Sequence, residues 1–199
     1  QSSLTEFSKK YAGKCIGICG SIILEHRVPD HLYIGNQFCH LLFPERKLLF
    51  EIIEKAAAEQ VEITLVFSYI REYMLDYITA LLDEINRWCE EKRQSVEIVV
   101  NDWGMASLVK KSRRNLIPSL GILLNKRRKD PRIPFKKGEQ KWFERNSLNA
   151  GFYRNFLERE YGIQRFEWES CGYEQKIPPG KNSLHIPFYQ TNTSQYCPL

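Results

Sequence analysis

Residues 61–104 read VEITLVFSYIREYMLDYITALLDEINRWCEEKRQSVEIVVNDWG, and their periodicity decides the fold class. The runs 61–67 (VEITLVF) and 96–100 (VEIVV) are short, apolar and rich in β-branched residues, as strands are. Between them Tyr73, Tyr77, Leu81, Ile85 and Trp88 recur every three or four residues. That spacing makes one apolar helix face and predicts a helix over about 72–93. A strand joined to the next strand by a long helix is a crossover, which places the two strands parallel.

The same alternation extends outward. Residues 32–35 (LYIG) read as a buried strand ending in a glycine turn. Pro44 and Glu45 then open a helix to about residue 60, with Leu48, Leu49, Ile52, Ile53 and Ala56 at helical spacing. After 96–100 the chain runs into Asn101-Asp102-Trp103-Gly104, where Asn101 or Asp102 can cap a short helix over 105–111. Residues 118–124 (PSLGILL) predict a fourth strand. The stretch that follows holds Pro131 and Pro134, has no period, and reads as a long irregular excursion. Ser147 can cap a helix over 148–161 that stops at Gly162. Residues 163–169 (IQRFEWE) and 184–188 (LHIPF) supply two more strands, and 14–19 an additional first one.

This order predicts an α/β fold with a parallel sheet. A doubly wound sheet offers a glycine-rich phosphate loop after its first strand, whereas Gly35-Asn36-Gln37-Phe38-Cys39 is no such fingerprint. The reading is therefore a TIM-barrel-like parallel βα-barrel forming one domain over residues 1–199. The chain's 199 residues fall short of the roughly 250 of a full eightfold barrel, so the barrel is expected to be incomplete. Its two open edges then call for a cover, such as a hetero- or homodimer through the barrel edges.

Composition narrows the function classes. Hydrophobic residues make up 43% and charged residues 27%, as in a globular protein and unlike a disordered one. No apolar run approaches the roughly 20 residues of a membrane span. The first ten residues are too polar for a secretory signal, so a cytoplasmic location is expected. The six cysteines, Cys15, Cys19, Cys39, Cys89, Cys171 and Cys197, are irregularly spaced, which favours thiols or metal ligands over a disulfide framework. The net charge is +5, with a basic cluster at Lys126, Arg127, Arg128, Lys129, Arg132, Lys136, Lys137 and Lys141. That cluster reads as a solvated loop, or as a surface for RNA or another phosphate-bearing partner.

In parallel α/β folds reactive groups sit beyond the carboxyl ends of the strands. That rule selects Cys39 and His40, Asn101 and Asp102, Asn125 and Lys126, Glu169 and Cys171, and Gln190, Thr191 and Cys197. Leu32-Tyr33-Ile34-Gly35 followed by Cys39 resembles the opening of UbiV-type proteins. Val99-Val100-Asn101-Asp102-Trp103-Gly104 is similar to an "NDLG" turn of the same group, and 121–132 (GILLNKRRKDPR) resembles the segment after its next strand. His185-Ile186-Pro187-Phe188-Tyr189 followed by Cys197-Pro198 is similar to its late strand and first C-terminal cluster cysteine.

Together these pieces resemble the UbiU/UbiV-like branch of the collagenase-like peptidase family. The resemblance implies a TIM-barrel-like fold with a 4Fe–4S cluster, for which soft thiolates are the fitting ligands. Cys39 and Cys197 match two ligand positions, and Cys171 is a substitute that matches none. The remaining two ligands would follow Cys197, so the cluster-binding C-terminal part is missing from these 199 residues. The resemblance further implies oxygen-independent hydroxylation of an aromatic small molecule or an RNA base, and pairing with a related subunit. Asn101, Asp102 and His185 are the candidate catalytic groups. Asn101 and Asp102 have a turn-and-cap alternative, and His185 that of a satisfied core histidine.

The peptidase chemistry in the family's name finds little support. A hydrolase needs a nucleophile, a histidine base and an orienting acid. The chain has four histidines, His26, His31, His40 and His185, and no glycine-flanked serine elbow. Trp142, Trp168, Phe188 and Tyr189 could stack on an aromatic substrate or simply fill the core. The competing functions are a binding subunit without catalysis, an RNA-binding or RNA-modifying protein, and a peptidase.

Overall fold

A computed structural model describes residues 31–111, 113–127, 132, 141–171 and 173–186. Six strands, β1 (His31–Gly35), β2 (Glu62–Val66), β3 (Val96–Val100), β4 (Leu116–Leu120), β5 (Arg165–Glu169) and β6 (Lys181–His185), form one parallel sheet in the order β1-β2-β3-β4-β5-β6. The helices α1 (Arg46–Ala58), α2 (Leu75–Lys92), α3 (Trp103–Lys110), α4 (Lys141–Glu144) and α5 (Gly151–Tyr161) lie in the connections. The sheet curls into half a barrel. Laid flat, β1 and β6 would stand about 24 Å apart at the usual strand spacing. Instead the Tyr33 hydroxyl on β1 lies 3.2 Å from Ser183 Oγ on β6.

The sheet divides residues by parity. Ile34, Leu65, Phe67, Ile98, Val100, Leu120, Phe166 and Trp168 belong to the apolar core. They pack against Leu49 and Ile53 of α1, Leu82 and Ile85 of α2, Met105 and Val109 of α3 and Leu157 of α5, all buried. Burying each large side chain contributes about 1.5–3 kcal/mol, so this outer layer holds the helices on. The opposite, concave face carries Tyr33, Thr64, Glu97, Ser119, Arg165, Glu167, Ser183 and His185. Barrel interiors of this class are normally plugged by branched apolar side chains, and this one is largely polar.

Several boundaries differ from the sequence reading. β4 ends at Leu120, and 121–125 turn back on themselves, with Leu124 N–H and Asn125 N–H both donating to the Gly121 carbonyl. The 310 turn Ser147–Asn149 precedes α5 and is capped by Asn146, not by Ser147. β6 starts at Lys181, after Gly180 in the left-handed region at φ +131°, and so lies earlier than the apolar run LHIPF. The expected strand over 14–19 falls outside the described residues. Among the described residues no helix is long and apolar enough to cross a membrane.

Candidate functional site

The carboxyl ends of β1, β5 and β6 meet around His185. Gln37, just past β1, is buried. Its Oε1 accepts from Ile122 N–H at 3.1 Å, which fixes the amide and turns Nε2 toward His185 Nε2, 3.3 Å away. The preceding turn is held by Asn36, whose Oδ1 accepts from the N–H groups of Phe38 and Cys39. Glu167 reaches His185 Nε2 through Oε2 in a close contact. The hydroxyl of Tyr33 donates to Glu167 Oε1 at 3.1 Å. Glu167 is fully buried, whereas 35% of the His185 side chain is exposed. A buried carboxylate thus stands behind a histidine that opens on the mouth. Burial, with the negative charge of Glu167 next in weight, pushes the Tyr33 phenol up to about 12.

Deeper in the concave face a second acid is tied down. Glu97 accepts from Thr64 Oγ1 at 2.9 Å, and its Oε1 lies 3.4 Å from Arg165 Nε. His31 Nε2 is 3.9 Å from the same carboxylate. Arg165 also donates through Nε and Nη2 to Ser183 Oγ, at 3.0 and 2.7 Å. This second cluster opens on a cleft of about 630 Å³ at the amino ends of the strands. Hydrogen-bonded side chains therefore line the half-barrel from one end to the other.

The residues expected at the mouth meet different fates. Asn101 is 4% exposed, and both ends of its amide are engaged. Nδ2 donates to the Phe67 carbonyl at 2.8 Å, and Oδ1 accepts from Leu123 N–H at 3.1 Å. Asp102 caps α3 by accepting from Met105 N–H at 2.7 Å and holds the Ile70 N–H at 2.8 Å. The turn-and-cap role thus accounts for both side chains. His185 alone of the three candidate catalytic residues presents a side chain at the mouth. Asn125 donates to the Glu167 carbonyl at 2.8 Å and so braces β5.

The basic surface is divided as well. Lys126 and Arg132 are exposed. Arg127 folds inward, its guanidinium 6.0 Å from the Trp168 ring centroid and 5.5 Å from that of Tyr173, and bonds Gln175. It clamps the β5–β6 connection and offers no free cation to a phosphate. Arg128 and Lys129 lie outside the described residues.

Of the thiols, Cys39 and Cys171 are half-buried and Cys89 is buried. Burial pushes Cys89 up to about 11, which keeps it protonated. Cys171 donates to the Tyr173 carbonyl at 3.3 Å. Cys15, Cys19 and Cys197 lie outside the described residues. Among the described residues no group of three or more His, Cys, Asp or Glu comes together to hold a metal ion. Of the ligand positions that the family resemblance implies, only Cys39 falls among the described residues. His40, next to Cys39 in sequence, lies with Nε2 3.1 Å from the Tyr73 hydroxyl.

No protein-family model, curated protein or solved structure matches the chain. Tyr33, Gln37 and Glu167 escaped the sequence reading, yet one signal was present. In β5, RFEWE, charge alternates strictly with aromatic. In a parallel sheet whose outer face is covered by helices, that alternation places Arg165, Glu167 and Glu169 toward the interior. Trp168, a stacking candidate, faces the outer core with 1% exposure, and its indole N–H donates to Asn182 Oδ1 at 2.7 Å. Phe188, Tyr189, Gln190 and Thr191 lie outside the described residues, as does the side chain of Trp142.

Proposed function

We propose that this chain is a small-molecule modification enzyme, or the barrel component of one, that binds its substrate at the carboxyl-end mouth and moves a proton through His185. The observation that supports the reading is the pairing of fully buried Glu167 with half-exposed His185. A histidine backed by a carboxylate is a standard arrangement for general acid–base work, because the acid fixes the ring and its tautomer. Gln37 and Tyr33 frame the pair and hold it in place.

Oxygen-independent hydroxylation is what the UbiU/UbiV-like resemblance adds to this reading. A cluster would bring redox chemistry, but it would need ligands beyond the described residues. For RNA, Arg127 is tied into the fold, while Lys126 and Arg132 stay exposed. Pairing through β1 and β6 remains part of the proposal, each edge having a strand neighbour on one side only among the described residues.

The test is binding of a simple aromatic hydroxy acid, 4-hydroxybenzoate, followed by backbone amide shifts in wild type and His185→Gln. Shifts centred on Gln37, Ile122 and His185 that vanish in the variant are the expected result. Shifts elsewhere, or equal in both proteins, overturn it. Iron and sulfide analysis of anaerobically purified protein, with Cys39→Ala and Cys197→Ala beside it, tests the hydroxylation class. About four irons per chain, lost in both variants, would support it. An iron-free folded protein leaves the acid–base reading without a redox partner.

A further inference from the structure

We propose that the pocket between the β1–α1 and β2–α2 connections is a second binding site, for a single uncharged aromatic ring. It stands apart from the Glu167–His185 pair. The pocket has a volume of about 230 Å³ and opens beyond the carboxyl ends of β1 and β2. Phe43 lines it from the first connection, Phe67 and Ile70 from the second, and Met74 and Ile78 from the entry to α2. Phe43 and Phe67 stack, with ring centroids 4.4 Å apart. Gly35, at φ +113°, makes room for this, since a Cβ there would lie 2.8 Å from the Phe43 ring. The two connections are tied to each other by His40 Nε2, 3.1 Å from the Tyr73 hydroxyl. Leu41 and Tyr77 also line the pocket and are exposed, which gives a ligand its way in.

The pocket is apolar because the polar groups of its walls are already engaged. The Val66 carbonyl accepts from Asn36 N–H at 3.2 Å, and Phe67 N–H donates to the Val99 carbonyl at 3.3 Å. The Phe67 carbonyl accepts from Asn101, and Ile70 N–H donates to Asp102, both at 2.8 Å. Asn36 Oδ1 accepts from two backbone N–H groups, and the Ser68 hydroxyl donates to the Tyr69 carbonyl at 3.4 Å. A buried water needs about two to four polar partners, so such walls favour an apolar occupant. An apolar cavity of about 150 Å³ takes benzene, and drug-sized ligands take about 300 Å³ or more. The size here lies between the two and suits one substituted ring, and the stacked aromatic wall suits a planar one. Charge decides the rest. Among the described residues no lysine or arginine lines the pocket, whereas the Glu45 carboxylate does. An anionic ligand would bury its charge without a cation and beside a like charge.

Toluene and benzoate test this, because they share a ring and differ in charge. Each is titrated into the isotopically labelled wild-type chain, with amide and methyl spectra recorded and contacts mapped by intermolecular nuclear Overhauser effects. No variant is needed, so misfolding cannot obscure the result. The expected result is saturable toluene shifts at Phe43, Phe67, Ile70 and Ile78, with ring contacts to the Met74 and Ile78 methyl groups. Benzoate is expected to bind there at least about tenfold more weakly. Toluene shifts that do not saturate at the pocket overturn the proposal, as do contacts only elsewhere, Gln37 and His185 at the mouth included. Benzoate binding at the pocket within tenfold of toluene overturns the assignment to an uncharged ring. The readout involves neither Glu167 nor His185, so the acid–base function can fail its own test while this site stands, and the reverse.

Discussion

Replacing Gly121 by Ala tests whether Asn101 belongs to the fold or to the chemistry. A Cβ at Gly121 would lie 2.2 Å from Asn101 Oδ1 and 2.6 Å from its Cγ. Asn101 cannot withdraw cheaply, because its amide is buried and bonds both the Phe67 carbonyl and the Leu123 N–H. Overpacking of this kind costs about 1–3 kcal/mol. Displacing the amide leaves a buried polar group unpaired, for about 1–3 kcal/mol more. Taking about 3 kcal/mol as the sum, Tm falls by roughly 6–12 °C for a chain of this size. The assay is urea unfolding of the wild type, Gly121→Ala, Asn101→Ala and the double variant. Asn101→Ala alone is destabilising, since two backbone groups lose their partner. In the double variant the added methyl group enters the space that Asn101 vacates, so the two losses must not add. Effects additive within about 0.5 kcal/mol would refute the reasoning, as would an Asn101→Ala variant of wild-type stability. The latter outcome would return Asn101 to the list of candidate catalytic groups.

Two further outcomes follow from the charged and phenolic groups. Arg127→Glu is expected to lose about 1–3 kcal/mol in the same assay, through its stacking and its bonds to the β5–β6 connection, while Lys126→Glu stays within about 0.5 kcal/mol. If RNA binds the basic segment, Lys126→Glu weakens that binding with the fold intact; a stable Arg127→Glu protein would remove the clamp. Tyr33 keeps its proton in the folded chain to about pH 12, while the unfolded phenol releases it near 10.0. Its contribution is therefore complete below pH 10 and is lost as pH rises toward 12, because only the unfolded state gains from ionising there. Tyrosinate absorbance in wild type minus Tyr33→Phe reads this directly, and a Tyr33 that ionises near pH 10 would contradict the placing of its hydroxyl beside the Glu167 carboxylate.

The order of strands and helices was legible from apolar spacing, though that spacing also put Leu48, Tyr73 and Tyr77 on buried faces and all three are exposed. Of the five residues expected on the apolar face of α2, Leu81, Ile85 and Trp88 are buried while the two tyrosines at its start are not, and VEIVV is β3 to the residue. Legibility failed where a strand serves the polar interior. β6 is KNSLH because Ser183 and His185 face other side chains across the concave surface, and a search for apolar runs passes over it toward LHIPF. β4 was placed too late because Gly121, Ile122, Leu123 and Leu124 look strand-like. The turn there is set by Asn101, on the far side of α3 in the chain, which occupies the space a side chain at Gly121 would need and holds Leu123 N–H. Cys39 and His185 could be picked out as reactive types near strand ends. The alternation in RFEWE could place Glu167 in the interior, but its pairing with Tyr33 and His185 came only with the sheet's curl.

The polar interior and the open seam have one physical cause. An eight-stranded barrel closes on itself and keeps water from an apolar plug. Six strands leave β1 and β6 facing each other without backbone pairing among the described residues, joined instead by side chains such as Tyr33 and Ser183. The polar side chains of the concave face instead find partners within it, Thr64 and Arg165 on Glu97, Arg165 on Ser183, and Tyr33 and His185 on Glu167. Glu97 lies beside Arg165, and Glu167 meets the Tyr33 hydroxyl and the His185 ring. Tyr33 also supplies, through its side chain, a link between edges that lack a shared ladder. A second subunit seated on the β1 and β6 edges would dry this interior and strengthen every charged contact within it. Pairing and acid–base function would then be coupled: the same contact that completes the sheet would set the field in which His185 works.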